Sequence, residues 1–387
     1  MIRSSLVIHV LLTLAMVDSL LPPPPKIVVV AGATGKTGRI VVSKLIETSP
    51  NVTVRAFVRD SAKAAEVLPT SSVQLEIFKG DLGSAADISR ACEGADSAVW
   101  CATGFSDSAT WINKLRGLFG IAVMPSQSID IIGVEAFARA LSSSPAGASN
   151  PRGVEAAVAE APAGSPPFPR VVMLSSAGVT RPAWDEAKKG RLDGAADIPI
   201  VRLNPFGILG KKCDAEQRLR DSGVPYCVVR PCGLNDDWPE GRPLFSQGDV
   251  AVGRTNRADV AGVLAACVSE PSASGKTFEM LSLKGYPAPR SLAPALARLL
   301  PDLPRPAAGA GGADSSGAEW KGPLPLEEGA IAAEYAVLQQ LLPGEAQDAT
   351  ALEMGRTYEQ VDKGEVQARE ARAEATDREK KLASTVR

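Results

Sequence analysis

Gly32, Gly35 and Gly38 recur at three-residue spacing within VVVAGATGKTGR, residues 28–39, between an unbroken apolar run and a helical pattern. Few features restrict a chain so strongly. A short continuous run of Val reads as a strand buried on both faces, and the glycines let it turn sharply into a helix. Gly35-Lys36-Thr37 also resembles the end of a triphosphate loop, which needs a glycine five residues earlier. Val30 stands there, inside the strand, and a second Gly-Lys-Thr at Gly275 has Glu270 in that place. The triphosphate reading is therefore weak. The spacing suits a pyrophosphate instead. Gly32 permits the turn, Gly35 lets backbone amides approach, and Gly38 lets the helix pack with its N-terminus toward negative charge. Thr34, Lys36, Thr37 and Arg39 complete the loop as candidate dinucleotide contacts.

From Lys26 onward, strand and helix patterns alternate. KIVVVAGA, NVTVRAFVRD, VQLEIFKGD, DSAVWCATG and RVVMLSSAGV read as the first five strands, with helices between them. SAKAAEVL is one such helix, with Ser61 expected as its N-cap. A loop follows strand five, then the helix KKCDAEQRLRDSG, the strand VPYCVVRP, the helix RADVAGVLAACVSEP and a last strand GKTFEML. This predicts an α/β fold with a doubly wound parallel sheet. Residues 142–169 are low in complexity and read as a surface insertion, far longer than the usual link. From about Gly285 the pattern lapses. A linker, one amphipathic helix near 324–342 and a charged tail are expected across 286–387.

The second strand supplies the next test. A carboxylate there would hold a ribose 2′-hydroxyl, whereas an arginine fork suits a 2′-phosphate. The strand ends in Arg59-Asp60, which favours NADP over NAD, with Arg39 and Lys63 as further charge and Asp60 as the opposing residue. Asp81 and Leu82 at the end of strand three would lie near the adenine. Cys101, Ala102, Thr103 and Gly104 at the end of strand four would approach the nicotinamide ribose. Open α/β sheets bind ligands at these carboxyl ends.

Residues 1–25 read as a signal or targeting segment, with Arg3 ahead of an apolar run shorter than the roughly 20 residues of a membrane span. No stable span is expected in the mature chain. The single histidine, His9, falls in this segment, so histidine-based nucleophile pairs, bases and metal sites are excluded and no metal is expected. Net charge is −2, which implies no basic face for nucleic acid. Six cysteines without a Cys-x-x-Cys pair read as core residues in a reducing setting, with Cys232 able to line a pocket. Asp236-Asp237 read as turn formers, and Asp185-Glu186 with Lys188-Lys189 as a solvated face. Trp184 and Trp238 read as core or lid filling.

Together, VVVAGATGKTGR, VRAFVRD, KGDL, DSAVWCATG, VVMLSSAGVTRP, KKCDAEQRLRDSGVPYCVVRPCGL and GRTNRADVAGVLAACVSEPSASGKTFEM resemble the atypical short-chain dehydrogenase/reductase group, the NAD(P)H-binding, NmrA-like proteins. The resemblance is strongest to its branch from photosynthetic organisms. It covers 26 to about 283 and implies a Rossmann domain over 26–285 with a small substrate lobe. It also implies a tyrosine acid, a lysine four residues later and a serine on strand five. Lys212 occupies the lysine place, Glu216 follows, and Ser175 and Ser176 remain. The tyrosine place holds Ile208, and no tyrosine of the chain has Lys four residues on. Three expectations stand side by side. The protein is an NADPH-dependent oxidoreductase whose acceptor needs no protein acid, one that draws its proton through Ser175, Ser176 or Lys212 with water, or a non-catalytic redox sensor or assembly factor whose C-terminal extension holds a protein partner. A plastid is the expected compartment, with the secretory pathway and cytoplasm as alternatives.

Overall fold

The computed structural model describes residues 27–103, 128–143, 167–302 and 328–341. The expected signal segment, residues 144–166 of the insertion, the linker and the charged tail lie outside the described residues, as does Gly104. An eight-stranded sheet runs in the order β3-β2-β1-β4-β5-β6-β10-β8. Its strands are β1 (Ile27–Ala31), β2 (Thr53–Val58), β3 (Leu75–Lys79), β4 (Ser97–Trp100), β5 (Val171–Leu174), β6 (Tyr226–Pro231), β8 (Gly241–Ser246) and β10 (Lys276–Lys284). All pairings are parallel except β8 on β10. The order reverses between β1 and β4, the switch point of a doubly wound sheet. The expected α/β class is the observed one.

Val28, Val29 and Val30 are wholly buried because helices cover both faces of the sheet. On one face lie α1 (Gly38–Thr48) and α9 (Arg257–Val268), which touch each other and enclose the core of Val41, Leu45, Val260, Leu264 and Phe278. On the other lie α3 (Ala85–Ala91), α4 (Ile129–Ser143) and α8 (Ile208–Asp221), closing over Phe57, Trp100, Phe137, Met173 and Leu219. Burying one Val side chain is worth about 1.5–3 kcal/mol, so β1, like the fully buried β4 and β5, anchors the sheet. Gly133 of α4 receives the Trp100 indole, since a Cβ there would come 2.3 Å from the ring.

The short helix α2 (Ser61–Val67) is capped by Asp60, whose side chain accepts from the amides of Ala62 and Lys63. The expected cap, Ser61, is the first helical residue instead. A carboxylate reaches two amides where a hydroxyl reaches one, which shifts the start by a position. The loop expected after β5 contains three short helices, α5 (Glu186–Arg191), α6 (Asp193–Ala196) and α7 (Pro199–Leu203). A two-stranded ribbon of β7 (Gly233–Leu234) and β9 (Arg254–Thr255) and the turn α10 (Ala293–Ala297) were also not expected. β8 carries no strand signal in the sequence because Gly241 and Pro243 break the pattern, and Pro243 supplies no N–H. The expected C-terminal amphipathic helix is α11 (Glu328–Leu341). Its Ile331, Tyr335 and Leu338 join a third core with Ala177, Trp184, Leu192, Val250 and Leu281.

Gly38 closes the β1–α1 turn, because a Cβ there would lie 2.1 Å from the Gly32 carbonyl oxygen. Backbone cannot yield as a flexible side chain can. Gly38→Ala is expected to cost about 3 kcal/mol or more by overpacking, read as a shift of the urea unfolding midpoint with the slope unchanged.

Candidate functional site

The glycine turn leaves β1 at Gly32, whose φ of +75° favours glycine and whose added Cβ would meet the Ala102 nitrogen at 2.8 Å. The end of β4 therefore lies directly against this turn. Gly35 donates its amide to the Gly32 carbonyl at 2.9 Å. At the N-terminus of α1, Thr37 makes no side-chain cap and the first turn holds no acidic residue. The helix end keeps its partial positive charge for an outside anion. Gly35, Lys36 and Arg39 are exposed around it, while Thr34 is half-buried and Thr37 buried. A narrow, all-backbone cradle with a helix end behind it fits a pyrophosphate.

Arg59 and Asp60 divide at the end of β2. The Asp60 carboxylate turns to the α2 amides at 2.9 and 3.1 Å, and Arg59 stays exposed. Lys63 is exposed on the first turn of α2. At the end of β3, Asp81 is exposed with one oxygen on the Gly83 amide at 2.8 Å, and Leu82 is buried. Gly275-Lys276-Thr277 is no phosphate loop. It enters β10, with the Lys276 ammonium on the Leu296 carbonyl and Thr277 on Asp302.

Cys101 and Ala102 are half-buried beyond β4, and Thr103 is exposed. Burial pushes the Cys101 thiol up to about 12, against an opposing pull from the nearby Lys212 ammonium. Lys212 is buried, with Nζ 3.8 Å from Asp130 Oδ1 at the start of α4. Lys212 is thus no solvated helix residue. α8 aims it at the ends of β4 and α4. One turn earlier, Ile208 opens α8 and is buried with Val179, Leu209 and Cys213. The place of a proton-donating phenol is apolar.

Ser175 has another task. Its hydroxyl donates to Glu216 Oε1 at 2.5 Å. Burial alone would raise the Glu216 carboxyl, but Arg230 and Arg220 outweigh it and hold it at about 2. An ionised carboxylate can only accept, so the one Ser175 proton points into the protein. The expected role of Ser175 as proton donor does not fit this geometry. The Ser176 hydroxyl rests on the Ala177 carbonyl at 3.0 Å. Tyr226 donates to Asp302 at 2.8 Å, and burial raises its phenol.

These features meet an independent match. Residues 32–271 fit the family model described as NAD(P)H-binding. The chain belongs to the NAD(P)H-binding family. An uncharacterized chloroplastic protein of Arabidopsis thaliana is 28% identical over 68% of this chain and 70% of its own. A second, also chloroplastic, is 29% identical over 66% of this chain and 77% of its own. Among solved structures, an oxidoreductase from Lactococcus lactis aligns at 16% identity and a TM-score of 0.45, covering 70% of this chain and 95% of that one. A short-chain dehydrogenase/reductase from Veillonella parvula in complex with NADP aligns at 14% and 0.44, covering 69% and 99%.

Cys232 is buried with its thiol on the Ala251 carbonyl, and burial pushes it up to about 12. Trp184 fills core, and Trp238 donates to the Ser282 carbonyl at 3.0 Å. Asp236 pairs with Arg257, and Asp237 donates its amide to Asn235 in a turn. Lys188 departs from the expected solvated face. It is buried with its ammonium 5.1 Å from the Trp184 ring centroid. No helix among the described residues is long and apolar enough to cross a membrane.

Sequence reasoning missed the charged layer behind the site. Arg181 is wholly buried and donates to the carbonyls of Ala195, Asp249 and Ala251. Asp249, also wholly buried, accepts from the amides of Gly178 and Thr180 and from the Thr180 hydroxyl. Glu279 lies beside Arg230 on the neighbouring strand, yet Arg230 Nη1 is 3.7 Å away and no side chain of the described residues hydrogen-bonds either Glu279 oxygen. Arg181, Arg220 and Arg230 are matched by Asp249, Asp302 and Glu216. An ionised Glu279 would be a fourth anion without a fourth cation. Burial pushes its carboxyl up to about 8, and Asp249 adds to the rise against Arg230 and Arg181. A carboxyl raised in the folded state stabilises below its ordinary 4.5 and loses that contribution as pH rises toward 8. Glu279→Gln, which does not titrate, is expected to gain on the native protein across that window and to hold the gain above it. Melting temperatures from acidic to mildly alkaline pH check this, and a constant difference counts against it.

Proposed function

We propose that the protein binds NADP(H) across the carboxyl ends of β1 to β4 and reduces a small acceptor without a tyrosine acid. The observation that carries the cofactor choice is the split of Arg59 from Asp60. With the carboxylate committed to α2, the exposed guanidinium is the group left for a 2′-phosphate. Gly32, Thr34, Gly35, Lys36, Thr37, Gly38 and Arg39 would hold the pyrophosphate. Asp81 and Leu82 would border the adenine, and Cys101, Ala102, Thr103, Gly104 and Lys212 the nicotinamide ribose. The bound cofactor would supply a hydride. Lys212 Nζ would orient the ribose by its charge, and water at that ammonium is the proton source, since Ile208 has none to give. Flavins and quinones, whose reduction takes protons from solvent, are the acceptor class this favours.

A second reading rests on the same apolar Ile208. The protein would bind NADP without turnover, as a redox sensor or an assembly factor of a plastid complex. The chloroplastic relatives support a plastid home for either reading. The working division is a targeting segment at 1–25, a cofactor domain at 26–285 and a C-terminal extension at 286–387.

Titration of the full chain with NADPH and NADH, followed by nicotinamide fluorescence, tests the cofactor assignment. NADPH is expected to bind at least about tenfold more tightly, as loss of one charge-assisted contact would imply. Arg59→Ala is expected to erase that preference and leave NADH binding unchanged. Equal affinities in the unaltered protein refute the role of Arg59. NADPH oxidation by flavins or quinones in the same sample separates the enzyme from the sensor.

A further inference from the structure

The C-terminal helix lies far from β1 in sequence, yet a short line of contacts joins it to the loop after β5. α11 presents Ile331, Tyr335 and Leu338 to the third core, and all three are buried there. The Ile331 side chain lies over Gly248, where an added Cβ would stand 3.2 Å from Ile331 Cγ1. Gly248 has a φ of +101°, so only glycine combines that backbone with that contact. The next residue, Asp249, also stands at positive φ, +60°, which disfavours a residue with a Cβ. Its neighbours hold it there. Its carboxylate takes the amides of Gly178 and Thr180 at 2.6 and 2.8 Å and the Thr180 hydroxyl at 2.7 Å. Arg181 clasps the Asp249 carbonyl at 2.7 Å. Ala177, next to Ser176, belongs to the same core as the three α11 residues.

We infer that α11 is a strap: by seating Ile331 on Gly248 it holds the Asp249 turn, and through Asp249 it fixes the loop at Ser175–Arg181 behind the candidate site. The loop has two supports, the charged hydrogen bonds and the apolar cover. Removing the cover exposes Val250 and Ala251, which follow the strained turn and share its apolar core, to water. The left-handed Asp249 backbone then loses the packing that over-determines it. The inference does not depend on which cofactor is bound.

Amide hydrogen exchange on the full chain tests this. Ile331→Asp is expected to speed exchange at Gly178 and Thr180 at least about tenfold, because their protection comes from the turn it unseats. The amides of β1 should keep their native rates. Ile331→Ala, a gentler cut, should give a smaller change at the same two amides. Val337→Asp, on the exposed side of α11, should change neither. Unchanged protection in both Ile331 variants overturns the strap. So does an equal loss in Val337→Asp. Loss of β1 protection in Ile331→Asp and Ile331→Ala alike also overturns it, since α11 would then belong to the main folding unit.

Discussion

The buried carboxylate of Glu216 organises the ligand end of this molecule. It takes the Ser175 hydroxyl from β5, the Arg230 fork from β6 and Arg220 from its own helix. Arg220 in turn reaches Asp302 and Thr277, so the knot extends to β10. A lone buried carboxylate would be costly. Two guanidiniums and a hydroxyl satisfy it, and removing either arginine would leave an uncompensated charge. The knot fixes the rotation of α8 about its axis. Lys212, one turn before Glu216, is then aimed at the ends of β4 and α4 rather than at solvent.

The same knot takes one polar group away from the candidate site. In the resembled group, a phenol, an ammonium and a hydroxyl share the proton work. Here the ammonium is in place, the phenol is replaced by Ile208 in an apolar cluster, and the Ser175 hydroxyl serves Glu216. What remains is the buried Lys212 ammonium near the end of β4, beside the candidate cradle.

The cradle itself was legible in the sequence because each of its parts is local. The Val run, the glycine spacing and the apolar stripe of α1 are all read within about three turns of chain. The parallel order followed from strand–helix alternation. Asp60 stood against the neighbouring arginine in the sequence, and in the fold its carboxylate caps α2. The short helices after β5 were not legible. They are four to six residues long, too short for a periodic signal, and Arg181 ties α6 to the 249–251 segment through three carbonyls. An arginine in sequence reads as surface, and only the fold reveals it as wholly buried. Lys188 hid in the same way beneath Trp184.

The outer strands of the sheet share one further trait. β3 carries the exposed charges Glu76 and Lys79, while β8 includes Pro243 beside Arg242. Unpaired strand borders invite a second chain to add itself and grow an aggregate. A charged border on one side and a missing donor on the other make such recruitment unfavourable. Among the described residues, both margins of the sheet thus carry a feature that opposes edge-to-edge growth.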